Sequence, residues 1–351
     1  MSQERLPKRH NRFRDRQGLD AWSVLHTFFN LVGSAVARLL EPVNLSNDEL
    51  LVLICLAHAG DALSMGEIER STLLQAGRVR RAVDRLERRR LIAWQRSRTD
   101  RRKVLVRTKS PGRQLLQTLS PVMFELIREV VGPMGQESTE FMRAKMRKIL
   151  SSAAVDAAVD LAAAYEDLHH EGPPTRAPDF ADEPALRPAQ RPLTWGLAGW
   201  LRCCQLSGHV DRIWRREFRN LRLTAPHLQV LAALAGAGEG MTADAIASVT
   251  GLPRPVVAST LSALTQAGLV ARSGDETQRR AGPAMLTAPG EQMVLDALPM
   301  ANRLADDLYQ GLSDEDLARM LSLLPKLCSS AGQVRDQYRA TSQLTSPAPA
   351  Q

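Results

Sequence analysis

Apolar residues at Trp22, Leu25, Phe28, Phe29, Val32, Val36 and Leu39 recur at three- and four-residue steps, the spacing of one helix face. Pro42 stops that helix. Ser46 with Glu49 three residues later is a capping box. It opens an apolar helix over 50–57 that Gly60 ends. A second capping box, Ser64 with Glu67, opens a short helix over 64–69. A turn over 72–77 leads to a helix over 77–90, with Val79, Val83 and Leu86 as its apolar edge. Two short strands follow over 91–94 and 103–107, joined by the polar, basic stretch 95–102. Ser110, Pro111 and Gly112 open a long helix reaching about Val131, and 137–165 reads as another.

Helix, helix and two-stranded ribbon in that order make a winged helix-turn-helix. The third helix suits a major groove and the ribbon tip an adjacent minor groove. The long helices on either side exceed what so small a head needs for its own core, which predicts a dimerisation scaffold. The same pattern returns later in the chain. At a constant offset of 178 residues, 45–112 aligns with 223–290 without a gap, and 20 of the 68 positions are identical. The matches include Leu45/Leu223, Val52/Val230, Leu56/Leu234, Ile68/Ile246, Leu86/Leu264, Arg102/Arg280 and Gly112/Gly290. Between the copies, 171–192 holds six prolines and no apolar periodicity, the composition of an extended spacer of roughly 3 Å per residue. The expected fold is mostly α: tandem winged helix-turn-helix domains at 18–170 and 193–335 whose flanking helices form the scaffold. A basic arm at 1–17 and a tail at 336–351 are expected to be disordered.

Composition adds a partner. The 351 residues carry a net charge of +8, and the positive charge is 40 Arg against 6 Lys. Arginine suits bidentate contacts to phosphates and bases, so a polyanion is the partner to consider. The charge is uneven. Residues 1–170 hold 28 basic and 20 acidic residues, whereas 171–351 hold 18 of each. Residues 78–113 alone contain 15 basic residues against Asp84, Glu87 and Asp100. A solvated helix face would alternate signs, and this one does not. With 3 Tyr and 7 Phe, stacking platforms for single-stranded nucleic acid are not expected.

Other classes lack their signals. There is no run of about 18 apolar residues, so no membrane-spanning helix is expected. The basic start lacks the apolar core of a signal peptide. Cys55, Cys203, Cys204 and Cys328 form neither a disulfide framework nor a zinc site, which fits a reducing cytoplasm. Cys203 and Cys204 read as buried and inert, with no local base to lower a thiol pKa. His169-His170-Glu171 is a weak metal-ligand spacing at the start of the linker. No Gly-rich phosphate loop, GxSxG or HExxH motif is present, so neither an enzyme, a cofactor nor a metal is expected.

The run from Val79 to Arg89, followed by Leu91-Ile92, resembles the recognition helix of the multiple antibiotic resistance regulator (MarR) family of bacterial transcription regulators. Asp100-Arg101-Arg102-Lys103-Val104-Leu105-Val106, ahead of Gly112, resembles that family's wing. The resemblance spans roughly 18–168 and, more weakly, 193–335. It departs at Arg90, where the family has Gly, and at Thr108-Lys109, where it has Leu-Thr. It implies a repressor of double-stranded DNA released by a ligand. DNA contacts would fall on Gln75, Arg78, Arg80, Arg81, Arg85, Arg98, Asp100, Arg101, Arg102 and Lys103, with Asp100 bracing Arg102 for the minor groove. Family members bind small aromatic acids where head and dimer helices meet. Trp22, His26, Trp195, Trp200 and Trp214 sit on the corresponding helices, where the alternative is plain packing.

The second copy has lost this chemistry. Arg78, Arg80, Arg81 and Arg85 become Val256, Ala258, Ser259 and Ala263, and Asp100 becomes Gln278. Val104-Leu105 becomes Gly282-Pro283, and Pro removes a ladder donor. The second head is therefore expected to pack but to bind DNA weakly. Two assemblies are open, a pseudo-dimer within one chain or a homodimer of two. A regulatory adapter, whose second domain binds a protein, is the rival function.

Overall fold

The computed structural model describes residues 16–59, 62–96, 104–152, 195–272 and 282–345. The first copy contributes α1 (Gln17–Leu40), α2 (Asn47–Ala59), β1 (Leu63–Ser64), α3 (Met65–Thr72), α4 (Ala76–Arg88), β2 (Ile92–Arg96), β3 (Val104–Thr108), α5 (Ser110–Val131) and α6 (Gln136–Ser152). The second contributes α7 (Trp195–Glu217), α8 (Ala225–Ala237), α9 (Ala243–Thr250), α10 (Arg254–Gln266), β4 (Val270–Arg272), β5 (Ala284–Leu286), α11 (Ala288–Tyr309) and α12 (Asp314–Thr345). The bounds of α2 to α5 plus 178 are those of α8 to α11, residue for residue. The basic arm, the linker, His169-His170-Glu171 and the wing tip at 97–103 lie outside the described residues.

Both capping boxes form. Glu49 N donates to Ser46 Oγ at 3.3 Å and Ser46 N to Glu49 Oε2 at 2.7 Å, with the same distances for Ser64 and Glu67. Two elements of the first head differ from expectation, and α12 continues to Thr345, into the tail expected to be disordered from 336. The helix over 77–90 stops at Arg88, because Arg90 turns left-handed at φ 59°. The ribbon gains a third strand, β1, which pairs Leu63 with Val106 and gives the order β1-β3-β2. Two residues are too few to show a period-2 pattern. In the second copy this strand is reduced to one bridge, Met241 to Ala284, at the same register.

Backbone details repeat as well. Left-handed residues fall at Asn44 and Arg222, at Leu73 and Gly251, and at Arg90 and Gly268, three pairs each 178 apart. Thr72 and Thr250 each donate to the carbonyl four residues back at 2.7 Å, and each accepts the N–H two residues on at 3.3 Å. Leu91 O accepts from Lys109 N at 2.9 Å, and Leu269 O accepts from Thr287 N at 3.1 Å. That contact brings α5 so close that a Cβ on Gly112 would lie 2.5 Å from Leu91 O, and Gly290 is crowded by Leu269 O in the same way.

The chain divides into two compact units. One holds the second head with the first helix up to Ser34 (Met1–Ser34 and Val210–Gly332), and the other holds the first head (Ala35–His209 and Gln333–Gln351). Within the former, Gly18 packs on α11, where a Cβ would lie 2.7 Å from Asn302 Cα. There, too, Asn30 Nδ2 donates to Thr250 O at 3.0 Å, and Thr27 Oγ1 to Val249 O at 3.3 Å. Within the latter, Gly196 packs on Met123 and Phe124 of α5, and Gln205 Nε2 donates to Ser71 O at 2.7 Å. Gly196 and Phe124 are Gly18 and Asn302 displaced by 178 in opposite directions. Each head thus packs with the first helix of the other copy. Contrary to expectation, α1 is by length and composition apolar enough to cross a bilayer. Its apolar residues Leu19, Trp22, Leu25, Leu31 and Val32 are buried in the protein.

Gly268 has open space around its Cα, so Gly268→Ala should cost about 1 kcal/mol from the left-handed backbone alone. Gly112→Ala pushes a methyl into a carbonyl oxygen and should cost at least about 2 kcal/mol. Denaturant midpoints of the two variants check this order.

Candidate nucleic-acid interface

One edge of α4 is buried: Val79, Ala82, Val83 and Leu86 are at most 3% exposed. Because a helix turns 100° per residue, Arg78, Arg80, Arg81 and Arg85 are then forced outward, and all four are exposed. Gln75 is the N-cap, extended and exposed, but its side chain makes no cap hydrogen bond.

The arginine run sorts by partner. Arg89 donates to Asn44 O at 2.6 Å and Val43 O at 2.8 Å, and so ties the helix end to the turn before α2. Arg88 Nε donates to Asp84 O at 3.2 Å, and Arg113 Nη1 to Thr108 O at 3.0 Å. Arg78 forks onto Asp48, Nε to Oδ2 at 2.9 Å and Nη2 to Oδ1 at 2.6 Å. Among the described residues, Arg80, Arg81 and Arg85 on α4 and Arg96 and Arg107 on the ribbon make neither ion pair nor side-chain hydrogen bond, and all are exposed. Unpaired guanidinium groups gathered on one small head give a locally positive surface suited to a polyanion. Arg96 and Arg107 were not singled out from the sequence. The register shows them, since Arg96 pairs with Val104 and Arg107 with Ala93 along the stem of the wing. Arg98, Asp100, Arg101, Arg102 and Lys103 belong to the wing tip, outside the described residues.

On the second head α10 buries the same edge, Val257, Thr260, Leu261 and Leu264. Its outward positions Ala258, Ser259 and Ala263 are exposed and uncharged. Arg254 is paired with Asp244 at 3.0 Å. Among the described residues, α10 keeps the bounds and buried edge of α4 without arginines at the outward positions that match Arg80, Arg81 and Arg85.

Of the residues assigned to a ligand, three come together in the unit of the second head. Trp22 and His26 rings lie 4.5 Å apart, Trp22 stacks on Trp214 at 4.7 Å, and Trp214 stacks on Phe218 at 3.8 Å. All are buried, yet Trp22 Nε1 and His26 Nε2 have no hydrogen-bond partner. Trp200 is buried in the unit of the first head, and of Trp195 only its place at the start of α7 is described. Burial also pushes the Cys55 and Cys203 thiols up to about 12 and raises Cys204, which leaves them protonated and unreactive at neutral pH.

Desolvation lowers the His26 pKa from 6.5 to about 4. A group that resists protonation only when folded favours the unfolded chain as it protonates. Stability is full above pH 6.5 and falls as pH drops toward 4, by on the order of 3 kcal/mol. His26→Phe should flatten that decline, which urea midpoints at pH 7 and pH 4.5 will show.

The MarR family model matches the chain twice, at residues 43–103 and 223–281. Solved structures are similar to it over about a third of its length. One concerns the regulation of DNA binding of Bordetella bronchiseptica BpsR by 6-hydroxynicotinic acid, at 24% identity, 35% of this chain, 86% of that chain and TM-score 0.32. Another is a MarR-family transcriptional regulator from Silicibacter pomeroyi, at 23% identity, 38% of this chain, 89% of that chain and TM-score 0.33. A third is MarR itself, at 22% identity, 36% of this chain, 96% of that chain and TM-score 0.31. Helical heads of one design, repeated at a fixed offset and matched twice by one family model, are consistent with two fused MarR-type winged-helix units.

Proposed function

We propose that the protein is a sequence-specific regulator of transcription, a repressor that binds double-stranded DNA through α4 and the wing of its first head. The observation that carries this reading is the contrast between the heads. Both keep the same elements, and only the first lines its recognition helix with unpaired arginines, Arg80, Arg81 and Arg85. Gln75 and Arg78, at the start of α4, join them, and Arg98, Asp100, Arg101, Arg102 and Lys103 extend the contact to the wing. The division into a degenerate and a competent head follows the domain bounds 18–170 and 193–335.

Each compact unit pairs one head with the first helix of the other copy, which supports a pseudo-dimer closed within one chain. The Trp22–Trp214 stack supports a release by ligand. Trp22 Nε1 and His26 Nε2, buried without hydrogen-bond partners, offer two polar atoms to a small aromatic acid. The adapter reading draws support from the uncharged outer face of α10, which leaves the second head a surface with no use on DNA.

In a mobility-shift assay on the DNA upstream of its own gene, Arg81→Ala with Arg85→Ala should weaken binding by at least about tenfold. Each lost phosphate contact should flatten the log–log salt slope by about 0.9. Binding that survives both changes would overturn the mapping. A footprint of one chain should protect one half-site strongly; two equally protected half-sites would contradict the degeneracy of the second head.

A further inference from the structure

We infer that Trp94, with Val104 beside it on the stem of the wing, is a further contact to duplex DNA: its indole packs on a deoxyribose and its N–H donates to a backbone phosphate. The inference rests on the DNA-binding reading above. Strand pairing puts Ile92, Trp94 and Arg96 of β2 on one face of the ribbon with Val104, Val106 and Thr108 of β3. At the base of that face Ile92, Val106 and Thr108 are buried in the head. Further out the cover ends. Trp94 is 36% exposed and Val104 49%. They are diagonal neighbours, since Val104 lies two residues along β3 from Val106, the partner of Trp94. Trp22, Trp200 and Trp214 are buried, which sets Trp94 apart from the indoles of the core.

The surroundings specify the partner. Arg96, two residues from Trp94 on the same face and directly opposite Val104, is exposed and makes neither ion pair nor side-chain hydrogen bond among the described residues. Arg107, on the other face, is exposed and unpaired in the same sense. The sequence that joins the strands, 97–103, carries Arg98, Arg101, Arg102 and Lys103 against Asp100. Cations thus accompany the apolar patch on both strands and in the sequence beyond it, which favours an anionic partner. The indole N–H is a donor only, and among the described residues it makes no hydrogen bond. A sugar–phosphate backbone answers both parts of the ring, with apolar C–H surface on the deoxyribose and an acceptor on the phosphate. Such a contact fixes the wing on the duplex without reading a base. It is uncharged, so it releases no counterion.

The second copy separates this contact from a role in folding. There Trp94, Arg96 and Val104 become Arg272, Gly274 and Gly282. Arg272 still pairs with Ala284, the register of Trp94 with Val106. The ribbon therefore forms without the indole or the valine. The patch occurs on the head whose α4 carries unpaired arginines, and is lost from the head that has lost them. Two surfaces that serve one ligand are kept and lost together.

The test measures binding of the full chain, Trp94→Ala, Trp94→Phe and Arg96→Ala to the DNA upstream of its own gene and to a random-sequence duplex. Melting midpoints of the variants should match the wild type. Trp94→Ala should weaken binding to both duplexes about tenfold at every salt concentration, with the log–log salt slope unchanged. Trp94→Phe, which keeps a ring but no N–H, should fall between Trp94→Ala and the wild type. Arg96→Ala should instead flatten the slope by about 0.9. Acrylamide quenching, taken as the difference between the wild type and Trp94→Phe, should show an accessible indole that either duplex protects. An indole still accessible in the complex, or Trp94→Ala that binds as the wild type does, would overturn the inference and leave the DNA-binding reading intact. Protection that grows with protein concentration in the absence of DNA would assign the patch to a second copy of the chain, and would overturn it too. A wild type that binds neither duplex would overturn both readings.

Discussion

Val79, Ala82, Val83 and Leu86 leave the recognition helix a single rotational setting, because an edge of four side chains cannot leave the core without exposing all of them. The arginines on the opposite edge need no contact of their own to be aimed. Their direction is a by-product of burial elsewhere. The same constraint operates in the second head, where Val257, Thr260, Leu261 and Leu264 hold α10. It aims Ala258, Ser259 and Ala263 outward to no electrostatic effect. Fold and chemistry are therefore carried by different edges of one helix, and one can decay while the other is kept.

The arginine-rich run is not uniform in purpose. Arg89 and Arg113 spend their donors on backbone carbonyls of the same head, and Arg88 on its own helix. These bonds close a turn and a helix end that otherwise leave acceptors unmet. The positive surface is built from the remainder. A count of charge along the sequence overstates it, because some of those cations are already committed to the fold.

What the sequence made legible was local. The capping boxes at Ser46 and Ser64, the apolar edge of α4 and the break at Pro42 each depend on residues within one turn of each other, and each appears where expected. The Asp48–Arg78 fork, the β1 pairing of Leu63 with Val106 and the packing of Gly18 on α11 join residues 30, 43 and about 284 apart. No periodicity carries such information. The offset of 178 was the exception, since a repeat turns a long-range relation into a readable one. It extends further than sequence identity shows, to left-handed positions where Arg90 and Gly268 share a conformation but not a residue.

Two copies in one chain remove a restriction that binds a homodimer. When one gene supplies two identical subunits, every substitution occurs twice, and an altered head means two altered heads. In a single chain the copies vary independently. The first head keeps Arg80, Arg81 and Arg85 while its counterpart carries Ala258, Ser259 and Ala263. The aromatic cluster runs the other way. Trp214 and Phe218, stacked with Trp22 in the unit of the second head, correspond to Val36 and Leu40, and His26 corresponds to Cys204. The unit with the second head thus holds the stacked rings with unpartnered polar atoms, and the unit with the first head has Trp200, Cys204, Val36 and Leu40 at the equivalent positions. Such opposed specialisation is open only to copies that no longer have to be the same.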